Sequence, residues 1–160
     1  MEEGFEFAKG FVGLALTELK SLRGNIRETI WRKSVTNIYY VFLNLIRAAL
    51  AEKGIYPKTH EGVERMFALH FVKGEVFPRK TAAYFSNLMS RRAEADYKFF
   101  IEFSKEDVQG YLTWLEEALP YFRTTIGEAW NPEIGEIAKK LANPFRKMNP
   151  SLDESHGKEN

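Results

Sequence analysis

The stretch RETIWRKSVTNIYYVFLNLIRAALAEKG, residues 27–54, decides the fold. Large apolar or small side chains recur in it every three or four residues, the spacing of one face of an α-helix: Trp31, Val35, Ile38, Phe42, Leu45 and Ala49. Gly54, with Pro57 three residues on, is expected to end that helix. The stretch therefore predicts a long helix whose apolar face packs in a core.

A second stripe on the same predicted helix is polar and aromatic. Asn37, Tyr40, Asn44 and Arg47 recur at three, four and three residues. Amide, phenol and guanidinium groups all bind phosphate or ribose, so one interpretation is contact with a ligand or another chain. The other is a polar outer face that carries one incidental tyrosine.

Similar periodicity predicts further helices over residues 5–22, from Thr59 onward, over residues 79–102, and after Ser104. Thr59 is a good N-cap, and Ser104 with Asp107 resembles a capping box. Pro120 is expected to kink or end the last of these helices. Alternating strand patterns are scarce, so the sequence predicts an all-α bundle.

Composition indicates one globular domain, with 160 residues, 44% hydrophobic and 28% charged. A net charge of +1 is too small to attract nucleic acid overall, so any nucleic-acid function would depend on local clusters of basic residues. Without cysteine, disulfides and thiol catalysis are excluded, and a reducing cytoplasm fits. No apolar run is long enough to span a membrane, and the two early glutamates argue against a signal peptide.

The domain prediction is a helical bundle over residues 1–125 and a C-terminal extension over residues 126–160. In the extension, the pattern predicts at most one short helix, around residues 133–141. The closing SLDESHGKEN is polar, lacks an apolar anchor, and is expected to be disordered.

RRAEADYKFF, residues 91–100, contains the most unusual placement of charge. On a helix Arg92 and Asp96 lie one turn apart, on a face otherwise occupied by apolar side chains: Phe85, Leu88, Met89, Phe99 and Phe103. A buried ion pair is often no more stable than hydrophobic side chains, so stability alone does not explain it. Three interpretations are open: the two charges simply neutralise each other, they order an interface between helices, or they line a cleft that binds a phosphate or base.

The neighbours of this pair are also candidates for a binding surface. Arg91 and Lys98, with Arg79 and Lys80, make the predicted helix locally basic, which suits phosphates but is more often a solvated face. Tyr97 could stack on a base, hydrogen-bond across an interface, or cover the rim of the core.

The histidines give no metal or acid–base signature. His60 starts a predicted helix and is expected to cap or pack, while His70 lies on an apolar side. No HExxH motif, phosphate-binding glycine loop or serine elbow is present. The sequence therefore predicts neither a metal nor a cofactor.

Four segments together resemble the HEPN superfamily, the higher eukaryotes and prokaryotes nucleotide-binding domain, and in particular its small stand-alone prokaryotic subgroup. They are NIYYVFLNLIRAAL (37–50), YPKTHEGV (56–63), HFVKGEV (70–76) and RRAEADY (91–97). The resemblance covers residues 5–123. It implies an antiparallel bundle of four to five helices that forms a helical homodimer.

The resemblance also implies a function in a toxin–antitoxin or defence system, alongside a minimal nucleotidyltransferase partner. Many members are metal-independent RNases whose motif is an arginine followed, after four to six residues, by a histidine. Here Asp96 occupies the place of that histidine relative to Arg91. An ordinary aspartate is ionised and can only accept a proton, which removes the usual acid–base pair.

Three functions remain open. The first is a non-enzymatic nucleotide- or RNA-binding module. The second is a divergent metal-independent endoribonuclease, with Asp96 as base, Arg92 stabilising the phosphorane, and an acid such as His70 or water. The third is a purely structural interaction domain. The site residues predicted for nucleotide or RNA are Arg92 and Asp96, which are also the catalytic candidates, with Arg91 as a phosphate contact and Tyr97, Asn37 and Tyr40 as neighbours.

Overall fold

The computed structural model describes the backbone of residues 2–148 and the side chains of residues 2–143. Over that range it contains six α-helices and no strand. They are α1 (Glu2–Arg27), α2 (Trp31–Glu52), α3 (His60–Phe67), α4 (Arg79–Tyr97), α5 (Lys105–Ile126) and α6 (Glu133–Met148). A π-helical turn, Ala68–Val72, follows α3, and a 3₁₀ turn, Gly127–Ala129, follows α5. The prediction of an all-α bundle is confirmed.

Helix α2 lies at the centre of the bundle and contacts α1, α3, α4 and α5. Five of the six residues of its apolar seam are buried, as the spacing predicts, and Trp31 at the start of the helix is partly buried. Helix α1 packs along part of the opposite face and is joined to α2 by a short connection in which Thr29 adopts a positive φ of 58°. Asn37 and Asn44 are therefore buried at 8% and 7% exposure, where a solvated or ligand-facing stripe was expected.

Two helix starts follow the sequence signals. The Thr59 hydroxyl accepts a hydrogen bond from the Gly62 N–H at 2.9 Å, and Ser104 with Asp107 forms the complete capping box. Pro120 does not end α5, which continues to Ile126. Phe122 and Ile126, beyond the proline, are buried in the core and hold the last turns in place.

Helix α4 ends at Tyr97, five residues before the predicted end at 102. The Arg32 guanidinium ends it by donating to the carbonyls of Ala95, at 2.7 Å, and Ile101. Phe99 is consequently 91% exposed and does not share a helical face with Arg92. The continuous apolar stripe predicted around the ion pair is wrong in its last two members, Phe99 and Phe103.

The C-terminal segment contains a longer helix than its pattern suggested. Helix α6 runs to Met148, beyond the predicted end near 141, and packs on α1 and α5. Its apolar side chains join the common core: Ile134, Ile137, Ala138 and Leu141. The segment predicted to be disordered, 151–160, lies outside the described residues. No helix in the described range has the length and apolar character needed to cross a membrane.

Candidate functional site

The guanidinium of Arg92 is the centre of a cluster that joins α2, α3 and α4. Its Nη2 lies 3.0 Å from Nδ1 of His60, and its Nη1 donates to the Asp96 carboxylate at 3.2 Å. The guanidinium carbon lies 5.2 Å from the centroid of the Tyr39 ring, in a cation–π contact. The Arg92 side chain is 16% exposed and that of Asp96 is 40% exposed.

Local structure explains how three helices bring these groups together. Tyr39 is on the buried side of α2 and stacks on Phe85 of α4, with ring centroids 5.5 Å apart and an interplanar angle of 8°. His60 is the first residue of α3, and the Thr59 cap fixes where that helix begins. The aromatic ring and the imidazole therefore hold the guanidinium from two sides.

The hydrogen bonds assign the protonation of His60. An arginine can only donate, so Nδ1 accepts and the imidazole proton lies on Nε2. The Tyr39 hydroxyl lies 2.9 Å from the same Nδ1, and burial raises the pKa of this phenol to about 12 against the opposing effect of Arg92. Burial, followed by the charges of Arg92 and Arg47, lowers the pKa of His60. The site thus holds a neutral imidazole beside a permanent cation.

A second cation extends the cluster. Arg47 on α2 contacts the ring of Phe11 at 5.9 Å and lines a groove of about 270 Å³ together with Lys58. The Tyr40 ring is edge-on to His60, with the ring centroids 6.1 Å apart. The local charge is positive on balance, because three cations, Arg92, Arg47 and Lys58, outnumber the two nearby carboxylates, Asp96 and Glu61.

Two of the predicted site residues are paired elsewhere. Arg91 donates to the Tyr111 hydroxyl at 2.9 Å and to the Glu94 carboxylate at 2.7 Å, and its guanidinium lies over the Phe103 ring. Asn37 donates to Glu18 at 2.9 Å and so ties α2 to α1. The structure brings together Arg92, Asp96 and Tyr40, and it directs Arg91 and Asn37 into intramolecular contacts.

Tyr97 is 80% exposed, so its interpretation as a cover for the core rim is wrong. With Phe99 and Phe100 it forms an exposed aromatic group at the end of α4.

Arg92 and Asp96 do form the helical ion pair, but Arg92 is only partly solvated and has further partners.

Sequence reasoning missed His60 and Tyr39 as partners of Arg92. The sequence predicts only a capping or packing role for His60, and Tyr39 enters the sequence analysis only as part of the segment NIYYVFLNLIRAAL. The usable signal was the Thr59 cap, which fixes His60 as the first residue of α3, but nothing in the spacing shows that α3 starts beside α4. His70 lies in the π-helical turn and has no contact with Arg92 among the described residues. The same residues contain no cluster of three or more potential metal ligands.

A family model for the HEPN domain matches residues 9–123, more than half of the chain. The chain belongs to the HEPN domain family. The match includes α2, α3 and α4, and therefore all of the Arg92 cluster. The resemblance inferred from the sequence is confirmed.

Several curated proteins are similar to part of this sequence. A Methanocaldococcus jannaschii protein named "Putative toxin MJ0142" is 36% identical over 76 residues, which are 48% of this chain and 52% of that protein. A Pyrococcus horikoshii protein named "UPF0332 protein PH1297" is 41% identical over 59 residues, which are 37% of this chain and 42% of that protein. The chain thus spans about half the length of these relatives. A second M. jannaschii protein, "Putative toxin MJ0605", is 26% identical over 92 residues, or 58% of this chain and 69% of that protein.

Proposed function

We propose that this HEPN protein binds RNA or a nucleotide through a phosphate group at the Arg92 cluster and acts within a toxin–antitoxin or defence system. The observation that carries the proposal is the contact of the Arg92 guanidinium with the neutral imidazole of His60 at 3.0 Å. This contact orients a cation without neutralising it. Two relatives named as putative toxins support the biological setting.

The chemistry of the cluster suits a phosphate. Guanidinium groups bind phosphate oxygens through paired, charge-assisted hydrogen bonds, and the flanking Arg47 adds to the positive field. Asp96 is the only carboxylate that contacts Arg92 in the described structure, and it is exposed enough to move aside for an anion. Tyr97, one residue on, is exposed and can stack on a base. Arg91 and Asn37 would join only by leaving their present partners.

The proposal extends to partners suggested by family resemblance. A second copy of the chain would bring two Arg92 clusters to one cleft, and a minimal nucleotidyltransferase would act as the cognate antitoxin. The reducing cytoplasm, consistent with a chain that has no cysteine, is the proposed compartment.

The test is binding of a fluorescein-labelled single-stranded RNA, measured by anisotropy with wild type, Arg92→Ala and Arg92→Lys. Loss of a charge-assisted phosphate contact is expected to weaken binding by about tenfold or more, since such bonds contribute about 1.5–3 kcal/mol. Lysine should restore only part of the affinity because it cannot donate in a planar fork.

Arg23→Ala, a change at an exposed arginine of α1, is the matched control. Equal affinity for all four proteins would contradict the proposal. If Arg92→Ala and Asp96→Ala changed self-association but not RNA affinity, the structural-domain alternative would replace it.

A divergent endoribonuclease is the second candidate, favoured by the Asp96 carboxylate, which is 40% exposed and lies 3.2 Å from the Arg92 guanidinium. In that reaction Asp96 would accept the 2′-hydroxyl proton as the oxygen attacks phosphorus, and water would protonate the 5′-oxygen as its bond to phosphorus breaks. Arg92 would stabilise the charge on the phosphorane. His60 would orient the Arg92 guanidinium through its Nδ1.

Incubation of end-labelled RNA with the purified protein in EDTA separates the two candidates. Cleavage by wild type that is lost in both Arg92→Ala and Asp96→Asn would establish the enzyme. RNA binding without any cleavage would rule it out and leave the binding function.

A further inference from the structure

A second groove, of about 920 Å³, lies outside the Arg92 cluster. It is bounded by the end of α3, the π-helical turn, the loop that leads into α4, and Tyr121 of α5. None of its lining residues belongs to the Arg92 cluster. Any function of this groove is therefore separable from phosphate binding.

The groove exposes large apolar side chains to solvent. Leu69 is 49% exposed, Val76 is 45% exposed and Tyr121 is 40% exposed. Ala68, Val72 and Ala82 complete the apolar surface between them. Contiguous exposed apolar surface of this kind is typical of a site that another molecule covers.

The charges around this apolar surface are predominantly positive. Arg65, Lys73 and Arg79 line the groove, whereas Glu75 is its only acidic residue. Within the described side chains none of these three cations takes part in an ion pair. The groove thus presents uncommitted positive charge around an apolar floor, which is complementary to a partner with the opposite arrangement.

Backbone hydrogen bonds hold the wall of the groove in place. The N–H of Lys73 bonds to the Ala68 carbonyl in the π-helical turn, and the N–H groups of Val76 and Phe77 both bond to the Phe71 carbonyl. The Phe77 ring packs against Phe67 and Phe122 in the core. A preformed wall lowers the ordering cost of binding, and π-helical turns are frequent at functional sites.

We propose that this groove binds an acidic amphipathic helix of a partner protein. The apolar stripe of such a helix would cover Leu69, Val72 and Val76, and its flanking carboxylates would meet Arg65, Lys73 and Arg79. An added β-strand is a poorer fit, because the described part of the chain has no strand edge to pair with.

The experiment uses the full chain and two fluorescein-labelled synthetic peptide helices of equal length. Both carry leucines at helical spacing, with glutamates on the remaining positions of one peptide and lysines on those of the other. The glutamate peptide is expected to bind saturably, and the lysine peptide at least about tenfold more weakly. Leu69→Ser and Arg79→Glu should each weaken the glutamate peptide by about tenfold, because they remove an apolar anchor and reverse a charge.

Matched changes on α1 serve as controls. Leu14→Ser alters an exposed leucine, at 52% exposure, and Arg23→Glu reverses an exposed cation, both far in sequence from the groove. Circular dichroism checks folding, and Lys73→Glu on the exposed loop provides a second charge reversal if Arg79→Glu does not fold. Controls should retain wild-type affinity.

Three results would overturn the proposal. They are no saturable binding of the glutamate peptide, equal binding of the two peptides, and equal effects of the groove and control variants. Sedimentation adds a fourth: a wild-type dimer that Leu69→Ser dissociates would assign the groove to a second copy of the chain. RNA binding by Leu69→Ser should remain normal, which separates this inference from the proposed function.

Discussion

Arg92 combines three kinds of contact that a lysine could not make together. It donates to an imidazole nitrogen, donates to a carboxylate, and lies against the Tyr39 ring. Its Nε is buried and lacks a partner within the described structure. A polar group in that position adds no stability, so the arrangement is better explained by the orientation it gives to the outer nitrogens.

The pKa of His60 gives the first prediction. Burial and the nearby arginines lower the pKa below its ordinary value of 6.5, so in acid the unfolded chain takes up a proton before the folded chain does. The contribution of His60 to stability is therefore present above about pH 6.5 and is lost as pH falls toward the lower folded pKa. Urea unfolding at about pH 7.5 and about pH 5 should show a larger loss for wild type than for His60→Gln. Parallel losses in the two proteins would contradict the lowered pKa.

At the scale of elements, side chains decide where α4 ends and where α5 begins. Arg32 from α2 terminates α4 near Tyr97. The capping box of Ser104 and Asp107 starts α5. Tyr97, Phe99 and Phe100 are exposed because they lie at the end of α4 and in the connection that precedes α5.

Replacing Arg32 tests what holds the end of α4. Arg32→Ala should lower the free energy of unfolding by about 1–3 kcal/mol, because partly buried carbonyls of Ala95 and Ile101 lose their charged donor. Lys33→Ala changes the adjacent exposed cation and should have little effect. Chemical denaturation measures both, and equal stability of the two variants would show that Arg32 does not hold the end of α4.

Replacing Ser104 tests the capping box at the start of α5. Ser104→Ala removes the hydroxyl that accepts from the Asp107 N–H at 3.1 Å and should destabilise the protein by about 1 kcal/mol. Ser21→Ala, at an exposed position inside α1, should be neutral or slightly stabilising because alanine favours helix interiors. A shift in the urea midpoint for Ser21→Ala as large as that for Ser104→Ala would argue against a role for the cap.

At the scale of the whole molecule, the close approach of α1 to α2 sets the packing. A Cβ built on Gly4 would lie 2.6 Å from the Ala51 carbonyl oxygen, which is backbone and cannot rotate away. Gly4→Ala should therefore cost about 1–3 kcal/mol as an overpacking change. Gly10→Ala has no neighbour within 4 Å and should instead gain about 0.5–1 kcal/mol through helix propensity. Thermal unfolding distinguishes the two, and a stabilising Gly4→Ala would show that the helices are farther apart.

Helix α6 provides a test of domain organisation. Because Ile134 is fully buried in the common core, Ile134→Ala should lower stability by about 2–5 kcal/mol and keep one cooperative transition. Lys139→Ala, exposed on the same helix, is the control. Two separate transitions would support the alternative, a bundle over residues 1–125 that folds independently of its extension.

The sequence by itself determined the helical class, the family, the seam of α2 and the caps at Thr59 and Ser104. These features are local, because helical periodicity and capping depend on residues within one or two turns. Tertiary structure decided the end of α4, which Arg32 sets from 63 residues away. It also decided the burial of Asn37 beneath α1, and the continuation of α5 past Pro120.

Only the fold could bring His60 and Tyr39 to Arg92, since they lie 32 and 53 residues before it on different helices. Spacing along one helix identified Arg92 and Asp96, which are neighbours through the helical repeat. The partners that set the protonation and orientation of the site come from helix packing, and no single-helix pattern encodes which side chains meet across an interface.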